Sequence, residues 1–172
     1  PGGTDPEQFA LTPDGTRLAA ANEDAGTASI IELGSGRVLP TLVVGIEPEG
    51  VAISPDGRWA YVTAETSNTV SVIDLASNTV HANFLVDLRP RAVAFAPDGT
   101  RAYVTNEISG TLSVIDTRTH EVLESIEMER GEGKPVGVVV SLDGRQVYVA
   151  NGGASVVCVL DTRTSAVVGR IP

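Results

Sequence analysis

Ionisable side chains recur at one register along this chain. Glu7, Glu49, Arg91 and Val136 each follow a proline, namely Pro6, Pro48, Pro90 and Pro135. Glu23, Glu65, Glu107 and Gly152 form a second series at equivalent places, and Arg89 flanks Arg91. A ring of carboxylates with one basic corner has the chemistry to bind a cation, a polar small molecule or a basic segment of a partner protein. The same residues also serve as a solvated, charged rim that keeps a protein soluble. Carboxylates at Glu23, Glu49 and Glu65 suit Ca²⁺ or Mg²⁺. No Asp-rich calcium loop accompanies them, so no metal is expected.

Other chemistry is sparse. His81 and His120 fall around the turn to an outer strand and on that strand, in different repeats. Neither has a companion nucleophile in the sequence, and both read as exposed structural residues. The single cysteine, Cys158, stands where other repeats have Ser29, Ser71 and Ser113. It reads as a small buried strand residue rather than a reactive thiol. Trp59 and the tyrosines read as packing anchors. There is no Cys-x-x-Cys-His for covalent haem, no adjacent cysteine pair and no Gly-x-Ser-x-Gly elbow. No catalytic residue and no cofactor is assigned from the residues.

The elements that position these groups follow from an internal repeat, the first feature to seek in any chain. Pro13-Asp14-Gly15, Pro55-Asp56-Gly57, Pro97-Asp98-Gly99 and Leu142-Asp143-Gly144 are four copies of one turn, with the Asp residues 42, 42 and 45 apart. Eight residues before each Asp stands the entry proline. Five after it, Tyr61, Tyr103 and Tyr148 open a strand in three copies. Eighteen after it, Glu32, Asp74, Asp116 and Asp161 close a β-branched run. Proline presets φ for the tight turn and glycine takes positive φ, so each Pro-Asp-Gly joins two antiparallel strands. Further turns at Ser67-Asn68 and Leu75-Ala76-Ser77-Asn78 delimit four short strands per repeat, rich in Val, Ile, Thr and Tyr. No stretch carries a helical period.

Four strands in about 42 residues, repeated, define the blade of a β-propeller. The predicted fold is all-β, with four four-stranded antiparallel blades at about 5–44, 45–86, 87–128 and 129–172, one arc of a larger ring. In that architecture the first strand of each blade lines the central channel. The two series of charged residues then share one channel mouth.

Tyr103-Val104-Thr105-Asn106 followed by Ser113-Val114-Ile115-Asp116 resembles the YVTN β-propeller repeat family, and the resemblance implies a closed ring of about seven blades. Asp5-Pro6-Glu7-Gln8-Phe9, Glu47-Pro48-Glu49-Gly50, Asn83 through Arg91 and Gly133-Lys134-Pro135-Val136-Gly137 are similar to one subgroup, the propellers associated with PQQ-dependent catabolism. That resemblance implies a periplasmic or extracellular bacterial protein. It implies a non-catalytic binding or scaffold module accessory to quinone-dependent alcohol oxidation, holding a partner protein or small polar ligand at the mouth. YVTN-like propellers also include lactonases and lyases. In that alternative Glu7, Glu49, Arg91 and Glu107 would serve as acid, base and anion-binding groups. A third alternative is a cell-surface interaction module. The repeats depart from the pattern at Ala19-Ala20-Ala21, at Ala64 in place of Asn, and at three extra residues between Glu127 and Pro135.

The composition narrows the partners. The net charge is −10, and the twelve basic residues are scattered. Neutralising phosphates needs clustered Lys and Arg, so neither nucleic acid nor an anionic membrane surface is an expected partner. No apolar run approaches the roughly 18–20 residues of a membrane span. Further blades are expected from additional chain or from another subunit, since blade faces left open would expose apolar surface.

Overall fold

A computed structural model describes residues 3–129 and 133–172. It contains strands and turns without helix. No helix of the described residues is long and apolar enough to cross a membrane. The chain divides into two compact units, Pro1–Leu85 and Val86–Pro172.

Each unit holds two antiparallel sheets. In the first unit, sheet 1 is built from β1 (Pro6–Leu11), β2 (Arg17–Asn22), β3 (Thr27–Glu32) and two short outer pieces, β4 (Arg37–Val38) and β5 (Leu42–Val43). Sheet 2 is β6 (Pro48–Ile53), β7 (Trp59–Ala64), β8 (Thr69–Asp74) and β9 (Thr79–Leu85). In the second unit, sheet 3 is β10 (Pro90–Phe95), β11 (Arg101–Asn106), β12 (Thr111–Asp116) and β13 (Glu121–Glu127). Sheet 4 is β14 (Pro135–Val140), β15 (Gln146–Asn151), β16 (Val156–Asp161) and β17 (Ala166–Ile171). Consecutive strands pair in sheets 2, 3 and 4, as the repeat requires of a propeller blade, and in sheet 1 the outer strand is split into β4 and β5, both paired with β3. The segment between Glu127 and Pro135, which carries the three extra residues of the fourth repeat, includes 130–132, which lie outside the described residues.

The repeated turns hold for a physical reason. Asp56 Oδ1 accepts the Ser54 hydroxyl (2.5 Å) and the Arg58 N–H (3.0 Å), while Gly57 takes φ 73°. Asp14, Asp98 and Asp143 accept the equivalent bonds from Thr16, Thr100 and Arg145. The acids that close the third strands do the same for the next turn. Asp74 accepts from the N–H groups of Ala76 and Ser77, and Asp161 from those of Arg163 and Thr164. These bonds favour the ionised carboxylate. They hold Asp14 down at about 2, chiefly through the Thr12 hydroxyl, and lower Asp56, Asp74, Asp98, Asp116, Asp143 and Asp161.

A folded-state pKa below the unfolded value gives stability that is present above the unfolded pKa. It is lost as pH falls through the folded one. Urea titrations at stepped pH should therefore show a progressive loss of stability from about pH 4 down to about pH 2. A flat profile across that window would contradict the turn chemistry.

Each unit has its own apolar core between its two sheets. In the first unit, Ala19, Ala21, Ala28 and Ile30 of sheet 1 meet Val51, Ala60, Val62 and Ile73 of sheet 2. In the second, Tyr103, Leu112 and Val114 of sheet 3 meet Val147, Val149, Cys158 and Leu160 of sheet 4. Alternation along the strands decides which residues take part. Val51 is 7% exposed against sheet 1, while Phe9, 42 residues earlier on the corresponding face of sheet 1, is 68% exposed. Val139 and Ile171 are exposed on the face of sheet 4 turned away from its core. Open apolar faces of this kind are what blades of a larger ring present.

Cys158 lies fully buried as a free thiol, donating to the Met128 carbonyl at 3.4 Å. It thus does what a serine does at this place. Ser71, for one, donates to the Val44 carbonyl at 2.8 Å. Tyr61 and Tyr103 are buried anchors, whereas Trp59 is half-buried between Arg58, 4.3 Å from its ring, and His81, with ring centroids 4.9 Å apart. His81 is exposed on β9. The expectation of an exposed His120 is corrected. It ends the β12–β13 turn at φ 59°, a left-handed conformation that returns the chain to its sheet, and it is 9% exposed.

Candidate functional site

One backbone device recurs at the entry to every sheet. Asp5, Glu47 and Arg89 precede the entry prolines in left-handed conformation, with φ 55°, 56° and 59°. Their carbonyls accept the N–H groups of Glu23, Glu65 and Glu107 at 2.8, 2.8 and 2.9 Å. In sheet 4 the Lys134 carbonyl accepts from Gly152 at 2.9 Å. The loop entering the first strand is thereby clipped to the turn between the second and third. The two charged series sit side by side at the same end of each sheet.

A β-bulge follows at once. Pro48 pairs with Ala64 and Val51 with Val62, so β6 carries one residue more than β7 over that stretch. The same shift lies between Pro6 and Phe9, Pro90 and Val93, and Pro135 and Gly137. Bulges re-aim side chains at sheet edges and near sites, and here the residue after the proline lies inside the bulge. The Thr63 hydroxyl accepts the Gly50 N–H at 2.8 Å, and the Thr105 hydroxyl accepts the Ala92 N–H at 3.0 Å. Serines brace the loops further: Ser67 Oγ accepts the Ile46 N–H (2.8 Å) and Ser109 Oγ the Leu88 N–H (2.9 Å).

Asparagines supply the last brace. Asn22 and Asn106 donate through Nδ2 to Ser29 and Ser113, both at 2.9 Å, tying the end of the second strand to the third. The threonine and asparagine of the Tyr-Val-Thr-Asn pattern are therefore supports of this end of the blade. The pattern itself signalled them. Their roles as acceptor and donor become legible only once the strands are paired.

In the first unit the structure draws Asp5, Glu7 and Glu23 together, with one carboxylate oxygen from each within 4.8 Å of the others. This differs from the trio Glu23, Glu49 and Glu65 considered from the sequence, and Asp5 was not among the expected site residues. Glu49 and Glu65 are instead buried. Glu47 accepts a hydrogen bond from the Thr66 hydroxyl. Desolvation raises the Glu23 pKa, reinforced by a hydrogen bond to Glu7 and by the charges of Glu7, Asp5 and Glu65.

In the second unit, Arg89 Nε and Arg91 Nε lie 3.4 and 3.8 Å from Glu107 Oε2. Val136 and Gly152 leave the corresponding place in sheet 4 without charge. The two units thus offer different surfaces on one scaffold, a carboxylate cluster in the first and a bidirectional Arg–Glu–Arg pairing in the second.

The raised pKa of Glu23 makes a direct prediction. A carboxyl whose folded pKa lies above its unfolded value contributes stability at low pH, and that contribution is lost as pH rises through the folded pKa. Glu23→Gln should raise Tm at pH 7, measured by calorimetry, and leave it unchanged near pH 4. An equal effect at both pH values would exclude charge repulsion as the cause.

Comparison with known proteins gives the class. A family model described as Lactonase, 7-bladed beta-propeller matches residues 87–168, and one described as Choice-of-anchor I domain matches residues 29–84. No curated protein matches the chain. Among solved structures, hydrazine synthase of Kuenenia stuttgartiensis is similar with a TM-score of 0.91 and 26% identity, over 97% of this chain and 49% of that one. A functionally unknown protein from Desulfotomaculum acetoxidans DSM 771 is similar with a TM-score of 0.82 and 23% identity, over 96% of this chain and 55% of that one. The fold is therefore that of a β-propeller. The chain spans about half the length of the solved structures it matches.

Proposed function

We propose that this chain is part of a propeller that works as a binding module. In each unit the entry loops form a recognition surface that takes a partner segment or small polar ligand without transforming it. One observation carries this reading. The same clip and bulge recur on all four sheets, while the side chains they present change from Glu7 and Glu23 to Glu49 and Glu65, to Arg91 and Glu107, and to Val136 and Gly152. A constant frame with varied side chains is suited to recognition, and function is written in the site rather than the fold. The sequence resemblance to PQQ-associated propellers favours an extracytoplasmic setting and a role accessory to quinone-dependent alcohol oxidation.

The test is calorimetric titration with a lysine-rich and a glutamate-rich peptide. The lysine-rich peptide should bind, more weakly with added salt, and lose at least about fivefold in affinity on combined Glu7→Gln and Glu23→Gln replacement. Absence of binding by both peptides would reject the reading.

A second reading, a lactone hydrolase, is favoured by the family-model match over residues 87–168. There Arg91 would orient an anionic oxygen and Glu107 would act as general base. Hydrolysis of glucono-δ-lactone, abolished by Glu107→Gln and by Arg91→Ala, would establish it and displace the first reading.

A further inference from the structure

The second unit contains a polar space that neither reading uses, at the end of its sheets that carries the Asp-Gly turns. Two adjoining cavities of about 170 and 310 Å³ lie between sheets 3 and 4, sharing Arg101, Tyr103 and Thr162 as walls. Tyr103 is 3% exposed and lines both cavities, with its hydroxyl open to the space they form. Its phenol oxygen feels the charges of Arg101, Asp98 and Glu124, each of which lines one or both cavities. Burial raises its pKa, so the hydroxyl keeps its proton at neutral pH and can donate as well as accept. A hydroxyl open to a polar cavity can exchange water for the hydroxyl of a ligand.

The first unit shows what closes this space. Arg17, 84 residues before Arg101, donates through Nη1 across to the Leu75 carbonyl and bridges its two sheets. Arg101 is held on its own sheet instead. Its Nη1 donates to the Thr100 carbonyl at 3.0 Å and lies 3.6 Å from Asp116 Oδ2. The acid at the Asp116 position of sheet 1 is Glu32, which pairs with Arg37 at 3.7 Å and leaves Arg17 free to reach across. Arg101 therefore does not span its two sheets as Arg17 does, and beside the cavities the crossing bond is instead that of the Ser165 hydroxyl to Glu124.

We propose that this gap, walled by Arg101, Tyr103, Thr162 and Glu124, binds a neutral polyhydroxylated molecule of monosaccharide size. The volumes lie at or below the low end of the roughly 300–1,000 Å³ typical of drug-sized ligands. Asp98, Asp143 and Glu124 repel an anion, and the guanidinium of Arg101, shared by both cavities, repels a compact cation. A hydroxyl group meets both, accepting from Tyr103 or Arg101 and donating to a carboxylate.

The site is tested by amide chemical-shift titration of the whole chain with D-glucose and with myo-inositol, beside methylammonium and acetate as charged probes. At least one polyol should give saturable shifts clustered at residues 100–103 and 160–165. Its affinity should fall about fivefold in Tyr103→Phe, a variant that keeps the buried ring. The proposal is overturned if neither polyol gives saturable shifts, if Tyr103→Phe binds as tightly, or if a charged probe binds there and the polyols do not. The wild-type titration decides the matter even if the variant folds poorly, and it is independent of events at the entry loops.

Discussion

Ile73→Ala is expected to destabilise the protein by about 2–5 kcal/mol, the range for truncating a fully buried isoleucine. Ile73 lies on β8, is wholly buried, and packs with Ala60 and Val62 against Ala19, Ala28 and Ile30 of sheet 1. The alanine-rich surface of sheet 1 is the reason for placing the effect high in that range. Small side chains on a paired β-strand cannot extend to refill the volume left behind, so the cavity persists. Denaturant unfolding of the variant and the parent measures the difference. A loss under about 1 kcal/mol would show that the sheets can close on the gap. The consequence reaches the entry loops, because sheet 1 carries Glu7 and Glu23 at its entry end and sheet 2 carries Glu49 and Glu65.

The second large effect is expected from Thr63→Val, at about 1–3 kcal/mol. Valine keeps the shape and the β-propensity of threonine but removes the acceptor of the buried Gly50 N–H. Ala21 and Ala150 occupy the same position in sheets 1 and 4, so the bulge itself forms without a hydroxyl. What the variant loses is the acceptor of the Gly50 N–H together with the hydroxyl's own donation to the Gly50 carbonyl at 3.5 Å. Hydrogen exchange at the Gly50 amide should accelerate with it, and Thr63→Ser should restore both properties. Unchanged exchange at Gly50 would refute the assignment. Glu49 sits in this bulge, so ligand affinity at the entry loops should fall along with stability.

Much of this molecule is local, and the local part was legible early. Pro55-Asp56-Gly57 and its copies are turns because proline presets φ, aspartate caps the following N–H, and glycine accepts positive φ. Those are properties of four consecutive residues, so they show in the sequence of any copy. The equivalence of Cys158 with Ser71 and Ser113 rests on the same register. The clip between Glu65 and Glu47 was half visible, since the repeat placed both series at one end of the blade. Its hydrogen bond joins residues 18 positions apart, and only strand pairing brings them together.

By itself, then, the sequence determined four blades, the order of their strands and their turns, while the strand ends, such as β6 opening at Pro48 rather than Val51, came from the pairing. Periodicity and turn chemistry suffice for blades, strand order and turns, because each depends on neighbours a few residues away. The tertiary structure decided which charges share a space. It added Asp5 to Glu7 and Glu23, buried Glu49 and Glu65, and turned His120 inward. It also set Arg101 on Asp116 while sending Arg17 across to Leu75. Identical local motifs diverge here because Coulomb and packing energies depend on distances in space. A single partner swap between neighbouring strands, invisible to spacing, redirects a whole side chain.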